Sequence, residues 1–99
     1  MEIRIQAIHF DVTERLDAFV RKKVSKLSQY HDGILVAEVI LRVVKPETAR
    51  NKQAGIRLQI KNNDCFAEKV SDTFEGAVDE AVVALEKQLI KAKEKSRSK

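Results

Sequence analysis

Apolar and polar residues alternate in four stretches of the chain, which is the pattern of a β-strand with one buried face. The predicted strands cover about 2–8, 34–44, 54–60 and 65–70. The polar segment 45–52 should connect the second and third strands, and Asn62-Asn63-Asp64 is typical of a tight hairpin before the fourth. The pattern leaves the register of the fourth strand open, because either Cys65 and Ala67 or Phe66 and Val70 could face inward; we favour the first pair.

Two other stretches repeat their apolar residues every three or four positions, which places those residues on one face of an α-helix. The first helix is predicted from about 14 to 30, with Thr13 as its N-cap and Asp32-Gly33 at its end. Ser71 or Asp72 should cap the second helix. The second apolar stripe comprises Phe74, Ala77, Val78, Ala81, Leu85, Leu89 and Ala92.

The element order is β-α-β-β-β-α, which predicts an α/β (α+β) two-layer sandwich. A four-stranded sheet that carries both helices on one face would bury every apolar stripe. A chain of 99 residues has room for one hydrophobic core, so a single domain over residues 1–95 is expected, with 96–99 as a disordered basic tail.

Basic side chains form a row along each predicted helix. The net charge is only +4, but six basic residues and one acidic residue follow Glu86, so the excess lies at the C-terminus. On a helical wheel the basic residues gather on one flank of each apolar stripe. The first-helix row consists of Arg15, Lys22 and Lys26, and the second-helix row of Lys87, Lys91 and Lys95.

We expect the two rows to meet in space as one continuous surface. Rows at one-turn spacing suit a phosphate backbone, because each ammonium group that neutralises a phosphate releases a counterion. They could equally be the solvated faces of ordinary helices. Lys23 differs, since it falls inside the first apolar stripe and must either extend its ammonium group to water or serve a function. The five aromatic residues are few for stacking on single-stranded bases, so recognition of shape and backbone is the better expectation.

Residues that would support catalysis or bind a cofactor are absent from the sequence. His9 and His31 stand apart without a metal-binding motif, and no glycine-rich phosphate loop or nucleophile elbow occurs. Cys65 is the only cysteine, which excludes an intramolecular disulfide. We therefore expect no enzyme, no cofactor and no small-molecule substrate. Without a secretory signal or an apolar run of about 18 residues, we expect a cytoplasmic protein with no membrane partner.

Several stretches resemble the ribosome hibernation promoting factors, also called ribosome-associated translation inhibitors. They are VTERL at 12–16, FVRKKVSKL at 19–27, LEKQLIKAK at 85–93, and DTF with AVD at 72–79. The resemblance spans the chain from the first strand to about Lys95. It implies a β-α-β-β-β-α domain that lodges near the decoding region of the small ribosomal subunit, across the path of mRNA and tRNA, during dormancy or stress.

The resemblance also implies which residues contact rRNA. These are Lys22, Lys23, Lys26, Lys87 and Lys91, to which the two rows add Arg15 and Lys95. Some relatives have a basic residue where this chain has Ala84, so that contact is not expected here. The chain resembles the short form of the family, which implies a monomer off the ribosome that does not pair ribosomes without a second hibernation factor.

Two other functions fit parts of the pattern. A double-stranded-RNA-binding module also packs three antiparallel strands against two helices, but the strand before the first helix argues against it. A protein-protein adaptor without nucleic acid would need an exposed apolar patch, for which the outward-facing Val83 and Ile90 are the only hint.

Overall fold

The computed structural model describes residues 1–45, 49–61 and 63–97, with side chains through residue 92. The predicted order β-α-β-β-β-α is confirmed. The elements are β1 (Glu2–Ala7), α1 (Glu14–Ser25) followed by a 3₁₀ turn (Lys26–Gln29), β2 (Ile34–Val43), β3 (Lys52–Ile60), β4 (Asn63–Ser71) and α2 (Phe74–Arg97).

The four strands form one sheet in the order β1-β2-β3-β4. β1 runs parallel to β2, and the two remaining pairs are antiparallel. Parallel strands need a crossover, which α1 supplies, so α1 runs back against β1 and β2. Two chain reversals make β4 parallel to β2, so α2 runs in roughly the same direction as α1. The rings of Phe10 and Phe74, which precede α1 and begin α2, stack at 4.9 Å and hold the two helix starts together.

The core lies between the helices and one face of the sheet. Ile5, Val39, Ile56 and Ala67 lie side by side across the four strands, and the last three are buried. The expected register of β4 is therefore confirmed, because Cys65 and Ala67 are buried while Phe66 is 54% exposed on the opposite face. The helices contribute fully buried side chains from one stripe each: Val20, Val24, Val78, Ala81, Leu85 and Leu89.

The first helix begins as predicted but ends earlier. Thr13 Oγ1 accepts a hydrogen bond from Leu16 N at 3.1 Å, which satisfies one of the unpaired amides of the first turn. The α-helix ends at Ser25 rather than Tyr30, and a 3₁₀ turn continues the chain. The hydroxyls of Ser25 and Ser28 each donate to a carbonyl three residues earlier, which competes with α-helical pairing while Leu27 stays buried.

The prediction that Ser71 or Asp72 caps the second helix is wrong. Thr73 is the cap, because its Oγ1 accepts from Gly76 N at 2.9 Å and its carbonyl accepts from Ala77 N at 3.0 Å. Ser71 is the last residue of β4 and is therefore still extended. A Cβ on Gly76 would lie 2.7 Å from Ser71 Oγ and 3.1 Å from Thr73 Oγ1, so a larger residue in this first turn would require these hydroxyls to move.

The predicted limits differ from the structure at two further places. α2 continues to Arg97, so residues 96–97 are helical rather than part of a disordered tail, since the segment from 91 to 97 contains no proline or glycine. Residues 98–99 lie outside the described residues. The predicted hairpin turn Asn62-Asn63-Asp64 is wrong for its last two residues, because Asn63 and Asp64 already belong to β4, with Ile60 opposite Asn63. Asn62 lies outside the described residues.

Candidate nucleic-acid interface

The orientation of α1 decides where the first-helix row points. Arg21 donates from Nε to Asp17 at 2.7 Å and from its guanidinium to the Ile3 carbonyl of β1 at 3.4 Å. The flank that bears Asp17 and Arg21 therefore lies over the β1 edge. The opposite flank bears Arg15 and Lys22, and Lys26 follows them as the first residue of the 3₁₀ turn. All three are exposed, so this row faces the side on which α2 lies.

The orientation of α2 is fixed by contacts with β4. Gln88 Nε2 donates to the Phe66 carbonyl at 2.9 Å. Lys91 lies on the same flank of α2 and lines a hollow together with Asn63 and Asp64 of β4. The second-helix row is therefore on the flank that faces the β4 edge, away from α1. Lys87 and Lys91 are exposed, and the side chain of Lys95 lies outside the described residues.

Lys23 connects the two helices. Its Nζ lies 3.2 Å from Asp79 Oδ1 of α2 and 5.5 Å from the centre of the Phe19 ring. Only 30% of the Lys23 side chain is exposed. This explains a lysine within an apolar stripe, because its aliphatic stem packs at the helix interface and its charge is neutralised by a carboxylate.

The expectation that the two rows meet as one continuous basic surface is wrong. Asp79 and Glu86 occupy the flank of α2 that faces α1, so carboxylates separate the first-helix row from the second. Asp79 of α2 lies at the level of Lys23 of α1. Lys87 follows Asp79 in α2, and at a rise of about 1.5 Å per residue it lies about 12 Å further along the helix. The arrangement is two staggered rows with a paired acid and base between them.

Most cations of the two rows are unpaired in the described ranges, whereas two of the arginines on the open face of the sheet are paired and a third, Arg42, is exposed there without an ion pair. On the open face of the sheet, Arg4 pairs with Glu2 and Arg57 pairs with Asp64, each at 2.6 Å. The hydrogen bond and charge of Arg4 hold the pKa of Glu2 below its usual value. Within the described residues, by contrast, no ion pair involves Arg15, Lys22, Lys26, Lys87 or Lys91. These five groups can therefore bind phosphates without first losing a protein partner.

The histidines and the cysteine have structural surroundings. His31 Nδ1 accepts from Gly33 N at 2.8 Å and so stabilises the turn before β2. Cys65 is buried, and burial, assisted by the charge of Asp64, raises the pKa of its thiol. Among the residues that the structure describes, no three His, Cys, Asp or Glu side chains could hold a metal ion together. No described helix is long and apolar enough to cross a membrane.

Solved structures share this architecture. The chain resembles the N-terminal domain of Thermus thermophilus Protein Y, with a TM-score of 0.79, 26% identity, and 92% of this chain and 98% of that one covered. It also resembles a ribosomal subunit interface protein from Coxiella burnetii, with a TM-score of 0.84, 24% identity, and coverage of 94% and 98%. The fold and the lysine-bearing helices thus define a class of small α/β sandwich proteins.

Sequence comparisons identify the family within this class. The family described as Sigma 54 modulation protein / S30EA ribosomal protein matches residues 3–97, so the chain belongs to it. A ribosome hibernation promoting factor of Pseudomonas putida is 29% identical over 98 residues, which is 99% of this chain and 92% of that protein. One of Azotobacter vinelandii is 30% identical over 95 residues, covering 96% and 85%. These matches confirm the family recognised from the sequence, whose members are not enzymes.

The sequence places Lys23 within an apolar stripe but does not identify its acidic partner. The periodicity of one helix cannot show which residue of another helix it meets. A lysine within the apolar stripe of one helix and an aspartate beside the apolar stripe of the other together indicate an ion pair between the helices. The structure joins these as Lys23 and Asp79.

Proposed function

We propose that this protein silences translation by binding the small ribosomal subunit and occupying its decoding region during dormancy or stress, which blocks access of mRNA and tRNA. The observation that supports the proposal is the pair of basic rows on α1 and α2, whose described side chains are exposed and without ion pairs, in a member of this family. Ribosomes are cytoplasmic in bacteria, so the protein acts in the cytoplasm.

Ribosomal RNA suits these rows better than a protein partner does. Lys22 and Lys26 are one turn apart, as are Lys87 and Lys91, so each row can contact successive phosphates along a backbone. The rows lie on different flanks of the helical layer and at different levels, which suits a folded RNA surface better than one straight strand. The rRNA-contacting set is Arg15, Lys22, Lys26, Lys87, Lys91 and Lys95, with Lys23 between the rows.

Occlusion requires volume and affinity rather than chemistry. The molecule measures 49 × 24 × 18 Å along its principal axes, and its core is closely packed. A body of this size in the decoding region excludes mRNA and tRNA by contact. The protein needs no cofactor for this. It acts as a monomer, and pairing of ribosomes would require a second factor.

The proposal is tested by sedimentation of the protein with purified small subunits at about 0.15 M salt. Loss of one phosphate contact weakens binding about fivefold at this salt concentration, and independent losses multiply. Lys22→Glu and Lys87→Glu should each weaken binding by at least this factor, and the double variant by about 25-fold or more. Both side chains are exposed, so the fold should be retained.

Arg42→Glu is the matched control, because it reverses one exposed charge on the open face of the sheet. It should bind nearly as wild type does. Equal losses for Arg42→Glu and Lys22→Glu would show that only net charge matters and would overturn the assignment of the helical surface. Binding that survives both lysine reversals and high salt would favour a protein-protein adaptor, with Val83 and Ile90 as its contacts.

A further inference from the structure

The most unusual charged contact in the described part of the chain is the ion pair between α1 and α2. We infer that Lys23 promotes RNA binding indirectly, by neutralising Asp79, and that Asp79 limits the affinity of the surface for RNA. Lys23 would then be a positioning and charge-balancing residue, in contrast to the phosphate-binding lysines beside it. The inference rests on the proposed function and concerns the same surface.

The position of Asp79 makes its charge matter. It lies on the flank of α2 that faces α1, and 50% of its side chain is exposed. RNA that contacts Lys22 and Lys26 would approach this flank closely, because packed helices lie about 8–10 Å apart. An uncompensated carboxylate there would repel the phosphates that the first-helix row attracts.

The position of Lys23 makes direct contact with RNA unfavourable. Its side chain is 30% exposed, its ammonium group lies 3.2 Å from Asp79, and the Phe19 ring lies beneath it at 5.5 Å. To reach a phosphate, the ammonium group would have to leave both partners. That movement would leave the Asp79 carboxylate without its partner. Its repulsion of the phosphate backbone would then offset the attraction between the ammonium group and the phosphate. Lys22, exposed and without an ion pair, has no such penalty.

Four variants test the inference through affinity for purified small subunits over a series of KCl concentrations. Lys23→Ala should bind more weakly than wild type, by at most the roughly fivefold that loss of one phosphate contact costs at about 0.15 M salt, because the Asp79 carboxylate is uncovered. Asp79→Asn should bind up to about fivefold more tightly. The double variant has the same net charge as wild type, so its affinity should return to within about twofold. Lys23→Arg keeps the ion pair and should bind as wild type does.

The salt dependence distinguishes an indirect role from direct contact. If Lys23 contacts no phosphate, the double variant should show the same slope of log affinity against log salt as wild type. If its ammonium group contacts a phosphate, the slope should fall by about 0.7–0.9 and the double variant should stay as weak as Lys23→Ala. The second result would overturn the inference.

Two controls separate the possible failures. Lys23→Ala also removes a stem that packs at the helix interface, so the unfolding temperature of each variant is measured first. Affinities are compared only among variants that are folded at the assay temperature, and Lys23→Arg and Asp79→Asn, which keep the packed stem, should unfold near the wild-type temperature. Lys22→Glu tests the proposed function independently. If it weakens binding while Lys23→Ala and Asp79→Asn change nothing, the inference fails and the proposed function stands. If wild type does not bind small subunits, the proposed function itself fails.

Discussion

The rotation of α2 about its axis decides where Lys87 and Lys91 point. Substitutions of two adjacent residues, Leu89 and Ile90, test this rotation. Leu89 is fully buried, whereas Ile90 is 44% exposed. Leu89→Ala should therefore leave a cavity and reduce the free energy of unfolding by about 2–5 kcal/mol. Ile90→Ala removes side-chain atoms already in contact with water and should cost less than about 1 kcal/mol.

Urea unfolding followed by circular dichroism at 25 °C measures both values. For a domain of about 100 residues, the larger loss corresponds to a fall in Tm of about 10 °C or more, which thermal unfolding can check. Equal losses for the two variants would mean that α2 does not pack with the Leu89 face inward. The flank assigned to the second-helix row would then be wrong as well.

The helix cap and the buried thiol give two further predictions. Thr73→Ala should reduce the free energy of unfolding by about 1 kcal/mol, because Gly76 N loses its hydrogen-bond acceptor. Thr73→Ser keeps the hydroxyl and should be as stable as wild type. Equal stability of the two variants in urea would show that Thr73 is not the cap. Cys65 should react slowly with a thiol reagent at pH 7 and faster in urea, because burial both shields the thiol and raises its pKa. The rate of reaction of the folded protein should rise with pH as the thiolate forms. If the folded protein reacts at pH 7 as fast as the protein in urea, Cys65 is not buried.

The fold could be predicted largely from local periodicity. The alternation of β3 is clear because one face of the sheet is buried, and Ala54, Ile56, Leu58 and Ile60 are indeed buried. The end of α1 could not be predicted, since Leu27 and Tyr30 continue the helical spacing through the 3₁₀ turn. The cap of α2 was ambiguous for a different reason.

Three consecutive residues, Ser71, Asp72 and Thr73, can all cap a helix, so local preference cannot choose among them. The choice depends on where β4 ends, and its pairing with β3 extends to Ser71 opposite Lys52. That is tertiary information. The helix start therefore follows from the sheet rather than from the capping residues themselves.

The candidate site was predictable only within each helix. A helical wheel shows that Lys22 and Lys26 share a flank, because the spacing of residues along one helix is fixed. It cannot show that α2 turns its acidic flank toward α1, since that depends on how both helices pack on the sheet. The contact between Lys23 and Asp79 and the separation of the two rows were therefore beyond a single-sequence argument.

The central claim is that the basic rows of α1 and α2 bind rRNA at the decoding region of the small subunit. Hydroxyl-radical probing of small-subunit rRNA with and without the protein tests it most directly. The account predicts protected nucleotides at the decoding region with wild type and with Arg42→Glu, and loss of that protection with Lys22→Glu combined with Lys87→Glu. Protection confined to another part of the subunit, or unchanged by the lysine reversals, would contradict it.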